Sequence, residues 1–202
     1  MDFTPIAGIL GTIARLTGDA LYVHSVAYGR TRPHIASQLP WAVIGGIIFA
    51  SQIAEEAGPS IWIYAVNFLM CVVYVGLALW RGTRDIKPVD WVVVGAASLG
   101  IPFWLLAHDP LYAVLWVTAI DIVCYYPICR KSWNNPWSEP RIPYLLSSIK
   151  HVFILLALVN FNLTTSIYSF AMIVANIFLV GLLLLRRRQL QSPSAIDGGY
   201  QN

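Results

Sequence analysis

Apolar residues run along this chain in blocks, separated by short clusters of proline, glycine and charge. A helix needs about 20 mainly apolar residues to cross the hydrocarbon core of a bilayer. Seven blocks reach or approach that length: residues 5–28, 38–54, 60–80, 89–107, 110–129, 143–161 and 166–185. The second and fourth are short and depend on neighbours to cover their polar residues. The pattern therefore predicts an all-α integral membrane protein with seven transmembrane helices.

Composition supports the same class. The chain is 57% hydrophobic and 11% charged, where soluble domains carry roughly 25% charged residues, and its mean hydropathy is +0.64. A net charge of +3 does not suggest a nucleic-acid partner. The N-terminus lacks a basic stretch before its first apolar run, so no cleavable signal peptide is expected. Cys71, Cys124 and Cys129 lie in apolar segments and read as packing residues, not as a disulfide or metal framework.

Charge also sets a predicted orientation, because loops rich in Lys and Arg stay cytoplasmic. Arg30 and Arg32 lie in the first loop, Arg81, Arg84 and Lys87 in the third, and Arg130, Lys131 and Arg141 in the fifth; Arg186, Arg187 and Arg188 open the tail. The intervening loops hold Glu55, Glu56, His108, Asp109, Asn160 and Asn162, with no Lys or Arg. The expected protein is multi-pass, with its N-terminus outside and its C-terminus cytoplasmic, in a bacterial inner membrane. Trp62, Trp80, Trp91 and Trp133 near helix ends fit an interfacial aromatic belt.

The first and fifth loops share a phrase. RTRPHIASQLPW, Arg30 to Trp41, and WNNPWSEPRIPY, Trp133 to Tyr144, each place a second proline seven residues after the first and then an aromatic residue. Asp19 precedes Pro33 by 14 residues, and Asp121 precedes Pro136 by 15. Both halves later reach a glycine-leucine phrase, at Gly76 and Gly181, followed by arginine. Spacing, order and topology together predict two parallel three-helix repeats joined by a linker helix. The expected units are residues 1–82, 83–108 for the linker, 109–188, and a disordered cytoplasmic tail at 189–202.

This 3+1+3 plan resembles the SWEET sugar transporters and the wider PQ-loop superfamily, which includes cystinosin-like carriers. At residue level the resemblance rests on Tyr126-Pro127-Ile128-Cys129-Arg130-Lys131-Ser132-Trp133, similar to the proline, basic and aromatic stretch that ends the first helix of a repeat. The Pro-Gln pair itself is absent, since Ile128 follows Pro127 and the aligned first-repeat residue is Ser25. The resemblance implies a carrier, and it implies that Asn67 and Asn176, from the third and seventh spans, face the substrate. An interhelical amide bond is the competing reading for both. With the Gly76 and Gly181 phrases aligned, the two asparagines fall about one turn apart.

Ionisable residues inside a span are costly and usually face the bundle interior or water. Asp121 lies near the middle of its span and Asp19 nearer the cytoplasmic end. Each either titrates or coordinates a cation during transport, or fixes helix packing through hydrogen bonds or a cationic partner. Arg15, one turn before Asp19, can pair with it along the helix, whereas Val117 stands at the matching position before Asp121. Lys150, beside His151, is a candidate partner for Asp121, or it snorkels to the interface. Trp41, Tyr64, Tyr126 and Tyr144 are expected pocket walls. Pro127 either hinges its helix or marks its end.

A carboxylate pair at Glu55-Glu56 reads as a solvated loop, not a metal site. Asn162-Leu163-Thr164 matches a glycosylation acceptor, relevant to a eukaryotic secretory host. The leading functional reading is a carrier for a sugar or similar small polar metabolite, working by alternating access and either facilitative or coupled to a proton or cation. Its alternative is a seven-helix receptor or ligand-binding protein without transport; the span at 167–185 has no lysine for retinal. Ser147, Ser148 and His151 are helically close, but small polar residues near span ends more often bond the backbone, so no enzyme and no cofactor is expected. The expected partners are membrane lipid, the solute, the coupling ion and a second copy of the chain.

Overall fold

The computed structural model describes residues 3–29, 33, 35–82, 88–134, 136–137 and 141–190. These form eight helices and no strand: α1 (Thr4–Ala27), α2 (Ile35–Ala54), α3 (Ser60–Arg81), α4 (Pro88–Ser98), α5 (Gly100–Ala107), α6 (Pro110–Asn134), α7 (Ile142–Leu156) and α8 (Leu163–Leu190). Three of them contain stretches long and apolar enough to cross a membrane: Thr4–His24, Ser60–Arg81 and Leu163–Leu190. Shorter apolar stretches occupy Gln38–Ala54, Val94–Ala107, Pro110–Val123 and Ile142–Leu156.

Local chemistry sets the helix ends. Asp109 Oδ1 accepts the Leu111 N–H at 2.8 Å, and Pro110 supplies a first helical residue that has no N–H to satisfy. Asn162 caps α8 reciprocally: its Oδ1 accepts from the Thr165 N–H at 2.9 Å, while its own N–H donates to Thr165 Oγ1 at 3.1 Å. The stretch expected as one helix over 89–107 is instead α4 and α5, separated at Leu99. Pro102 explains the break, because it has no N–H to offer the Ser98 carbonyl. Gly100 lies beside this break, and a Cβ there would come within 3.1 Å of both Ile47 Cδ1 and Val117 Cγ1. Its lack of a side chain lets the linker press against α2 and α6.

α7 also departs from the expected span, ending at Leu156 where the hydropathy pattern runs to 161. The residues that follow pair with the α2–α3 connection instead. Val159 N–H donates to the Ala57 carbonyl at 3.0 Å, and Ser60 N–H to the Ala157 carbonyl at 3.3 Å. Asn160 Nδ2 donates to the carbonyls of Glu55 and Glu56, and Asn162 Nδ2 to the Glu55 carboxylate at 2.6 Å. Gly58, at φ +82°, turns the backbone against Val159 where a Cβ would collide. These two loops form a latch at one end of the bundle, the Glu55 end.

The opposite end is fastened by arginines. Arg81, five residues after Gly76, donates to the Ala27 carbonyl at the C-terminus of α1, at 2.7 Å. Arg186, five residues after Gly181, donates to the Trp133 carbonyl near the C-terminus of α6, at 3.0 Å. Arg187 adds two bonds to the Pro136 carbonyl. Each cation lies at the negative end of a helix dipole.

α3 packs between α1 and α2, and α8 packs between α6 and α7. Across these groups α1 meets α7, and α2 meets α6. An apolar core that includes Ile44, Ile48, Ile63 and Val117 is buried, but the exterior is also apolar and several charged and amide groups are interior. Trp62, Trp80, Trp91 and Trp133 are 69%, 64%, 59% and 54% exposed. Asp19, Gln52, Asp121, Lys150, His151 and Asn176 are buried. Polar groups face inward and large apolar groups outward, the arrangement that suits a hydrocarbon surround.

Candidate functional site

A cavity of about 260 Å³ lies among six of the helices. α1 contributes Arg15; α2 contributes Trp41, Ile44 and Gly45; α3 contributes Asn67, Cys71 and Tyr74. α6 adds Asp121 and Tyr125, α7 adds Pro143, Tyr144, Ser147, Lys150 and His151, and α8 adds Tyr168, Met172 and Asn176. Exposure falls along α7 from Pro143, which is exposed, to Lys150 and His151, which are buried. On α2, Trp41 is 43% exposed while Ile44 is buried. The cavity therefore opens toward the arginine end and closes toward the Glu55 end.

Each wall has its own chemistry. Lys150 Nζ donates to Asn67 Oδ1 at 3.3 Å. Tyr168 OH donates to Asp121 Oδ2 at 2.9 Å, and Trp41 lines the same cavity. Tyr125 OH donates to Asn176 Oδ1 at 3.1 Å. The Asn176 amide donates to Ser147 Oγ at 3.3 Å and to the Met172 carbonyl at 2.7 Å. Behind these, His151 Nδ1 and Ser169 Oγ are 3.1 Å apart, and Ser169 Oγ lies 2.7 Å from Tyr64 OH. The polar groups of the cavity are thus fixed, within a mostly apolar lining, by a second layer of hydrogen bonds.

The two aspartates have different surroundings. Asp19 Oδ2 lies 2.9 Å from Arg15 Nε, four residues away on the same helix, and Asp19 also accepts from Tyr74 OH. That pair is neutral as a unit. Asp121 and Lys150 line the same cavity, yet no carboxylate oxygen lies within 4.0 Å of Lys150 Nζ among the described residues. Their hydrogen-bond partners are neutral: a tyrosine for Asp121 and an amide for Lys150.

The carbonyls that receive Arg81 and Arg186 also give the two groups a common register. Asp19 lies eight residues before Ala27, whereas Asp121 lies twelve before Trp133. In this register Asp121 answers to Arg15, and Tyr125 answers to Asp19. The proline spacing, read alone, pairs the two aspartates instead; loops accommodate single-residue differences that helix-end contacts do not.

Of the residues singled out from sequence, Asn67, Asn176, Trp41, Tyr144, Asp121, Arg15, Lys150 and His151 line this one cavity. Asp19 sits behind Arg15, and Tyr64 stands behind the wall against Ser169. The side chains of Tyr126 and Pro127 lie outside the described residues, but the α6 backbone continues past Pro127 to Asn134, so the helix does not end there. Ser147 and His151 bond Asn176 and Ser169 respectively, and Ser148 bonds the Tyr144 carbonyl.

Cys71, Tyr74, Tyr125, Tyr168 and Met172 are cavity residues that hydropathy did not single out. A signal for part of this set exists along α8, where Thr165, Ser169, Met172 and Asn176 recur at spacings of three and four and are all buried. No group of three or more metal-ligating side chains occurs among the described residues. Comparison with family models, with curated proteins and with solved structures finds no match for this chain.

Proposed function

We infer that this chain is a multi-pass membrane carrier, built as two parallel three-helix repeats joined by the α4–α5 linker, that moves a small polar solute by alternating access. The observation that carries this reading is the cavity: walled by helices from both groups, mostly apolar in surface, with buried charged and amide side chains projecting into it. Binding sites of transporters built from repeats lie at the repeat interface near mid-membrane. The contact pattern supports the duplication, because exchanging α1, α2 and α3 for α6, α7 and α8 maps the α1–α7 contact onto α6–α2. Matched arginines at the two helix ends support it independently.

In this reading the Glu55 end faces outward and the arginine end faces the cytoplasm, as the charge of the loops requires. The latch closes the outer side while the cavity opens inward. Transport then breaks the latch as the two groups rock about the solute. The resemblance to SWEET carriers makes sugars natural first substrates to test, with a proton or cation as the candidate coupling ion. The decisive measurement is uptake of a solute panel into proteoliposomes, with and without a proton gradient. Saturable flux of at least one solute is expected; binding without flux under any gradient points to a receptor.

A further inference from the structure

We propose that the cavity is built for a zwitterionic solute, one carrying an ammonium and a carboxylate together, with Asp121 taking the ammonium and Lys150 the carboxylate. This rests on the carrier reading for its physiological meaning, but the binding geometry stands on its own.

Besides His151, which bonds Ser169, four side chains of formal charge belong to the cavity region: Arg15, Asp19, Asp121 and Lys150. Two of these cancel at 2.9 Å on α1 and offer little to a ligand. The others are buried, Asp121 at 5% exposure and Lys150 at 9%, and reach the cavity from different helices. A charge removed from water is costly unless an opposite charge or several hydrogen bonds compensate it. Here neutral groups hold each one in place without cancelling it. Asn67 fixes Lys150, and Tyr168 fixes Asp121.

A solute with one positive and one negative end supplies what both side chains lack. A sugar hydroxyl bonds either group but neutralises neither. A plain amine or a plain carboxylate satisfies one and leaves the other buried and unpaired. Aromatic rings at Trp41, Tyr144 and Tyr168 complete the preference, because their faces attract an ammonium and pack against an apolar side chain. A cavity of about 260 Å³ has room for a single small zwitterion.

The test uses the full chain in detergent and calorimetric titration with matched probes. Glycine, leucine and phenylalanine provide three sizes of zwitterion. Isoamylamine is leucine without its carboxylate, 4-methylpentanoate is leucine without its ammonium, and glucose represents a neutral polyol. At least one zwitterion is expected to bind about 30-fold or more tighter than glucose; where leucine is that ligand, the same margin applies over both one-charge fragments. Lys150→Met should reduce the binding of that zwitterion by a similar factor and leave isoamylamine within about twofold. Asp121→Asn should do the reverse, sparing 4-methylpentanoate. Lys150→Arg, which keeps the charge, should retain most of the wild-type affinity.

If glucose binds as tightly as every zwitterion, or if no zwitterion binds, the assignment is overturned. It is also overturned if Lys150→Met weakens zwitterion and amine alike while the variant remains monodisperse. Should that variant fail to fold, the wild-type probe series and Asp121→Asn still decide the matter. Flux in proteoliposomes separates this inference from the carrier reading. Glucose flux without zwitterion binding sinks the charge assignment alone, and zwitterion binding without flux sinks the carrier alone.

Discussion

Asp19 and Asp121 have similar local settings and different charge balances. Each is a buried carboxylate on the first helix of its three-helix group, and each accepts a hydrogen bond from a tyrosine on the third helix of that group. Asp19 has Arg15 one turn away on its own helix; Asp121 has Val117 there. The first is a closed pair that welds α1 to α3. The second is an open charge facing a cavity that also holds Lys150. One residue, four places upstream, separates a structural carboxylate from one available to a ligand.

The comparison breaks most sharply at Arg15. Replacing it with Met leaves Asp19 buried without its cation, and removing one partner of a buried pair costs about 3–5 kcal/mol. Arg15→Met should therefore lower the unfolding midpoint in detergent substantially, whereas Arg15→Met with Asp19→Asn should recover most of that loss. A double variant as unstable as the single one contradicts the closed-pair description. Asp121→Asn provides the contrast: its partners are neutral, so stability should change by less than about 1 kcal/mol while zwitterion binding falls.

A smaller effect distinguishes the two tyrosines. Hydrogen bonds between helices in a membrane contribute about 0.6 kcal/mol on average and under about 2 kcal/mol at most. Tyr74→Phe and Tyr168→Phe should each destabilise within that range, read from the same melts. Only Tyr168→Phe should alter solute affinity, because only its hydroxyl holds a carboxylate that meets the ligand. Equal effects of both on binding would erase the distinction between the sites.

At the latch, Asn162→Ala removes a bond to Glu55 and a helix cap, together about 1 kcal/mol. The expected readout is faster labelling of a cysteine placed at Ile44 by a reagent that enters from the Glu55 end. The mildest change is Arg81→Ala, which removes an exposed cation from the end of α1 and should cost about 0.3–1 kcal/mol.

Much of the helical plan was legible because apolar block length and loop charge are local properties. The interior charges were legible for the same reason: an Asp or Lys in an apolar run has few places to go. Partner choice was not, because it depends on helix rotation. Nothing near Tyr168 in sequence says that its hydroxyl meets Asp121 rather than lipid headgroups. The latch is still less legible, since it runs largely through backbone carbonyls and N–H groups that every residue possesses. Pro102 did carry a readable warning of the break at Leu99, but a continuous apolar stretch concealed it.

The shared register of the arginine-capped helices has a consequence for how such a site can arise. On the duplicated plan, Arg15 and Asp121 occupy equivalent positions in the two repeats. Two identical three-helix chains meeting around an axis would place like charges at both positions, repelling across a space of low dielectric. Only after the copies are joined in one polypeptide can one position become basic and the other acidic. On that proposed plan the α4–α5 linker does more than restore the direction of the second repeat. It gives the two halves separate histories, and so gives the cavity a positive and a negative side.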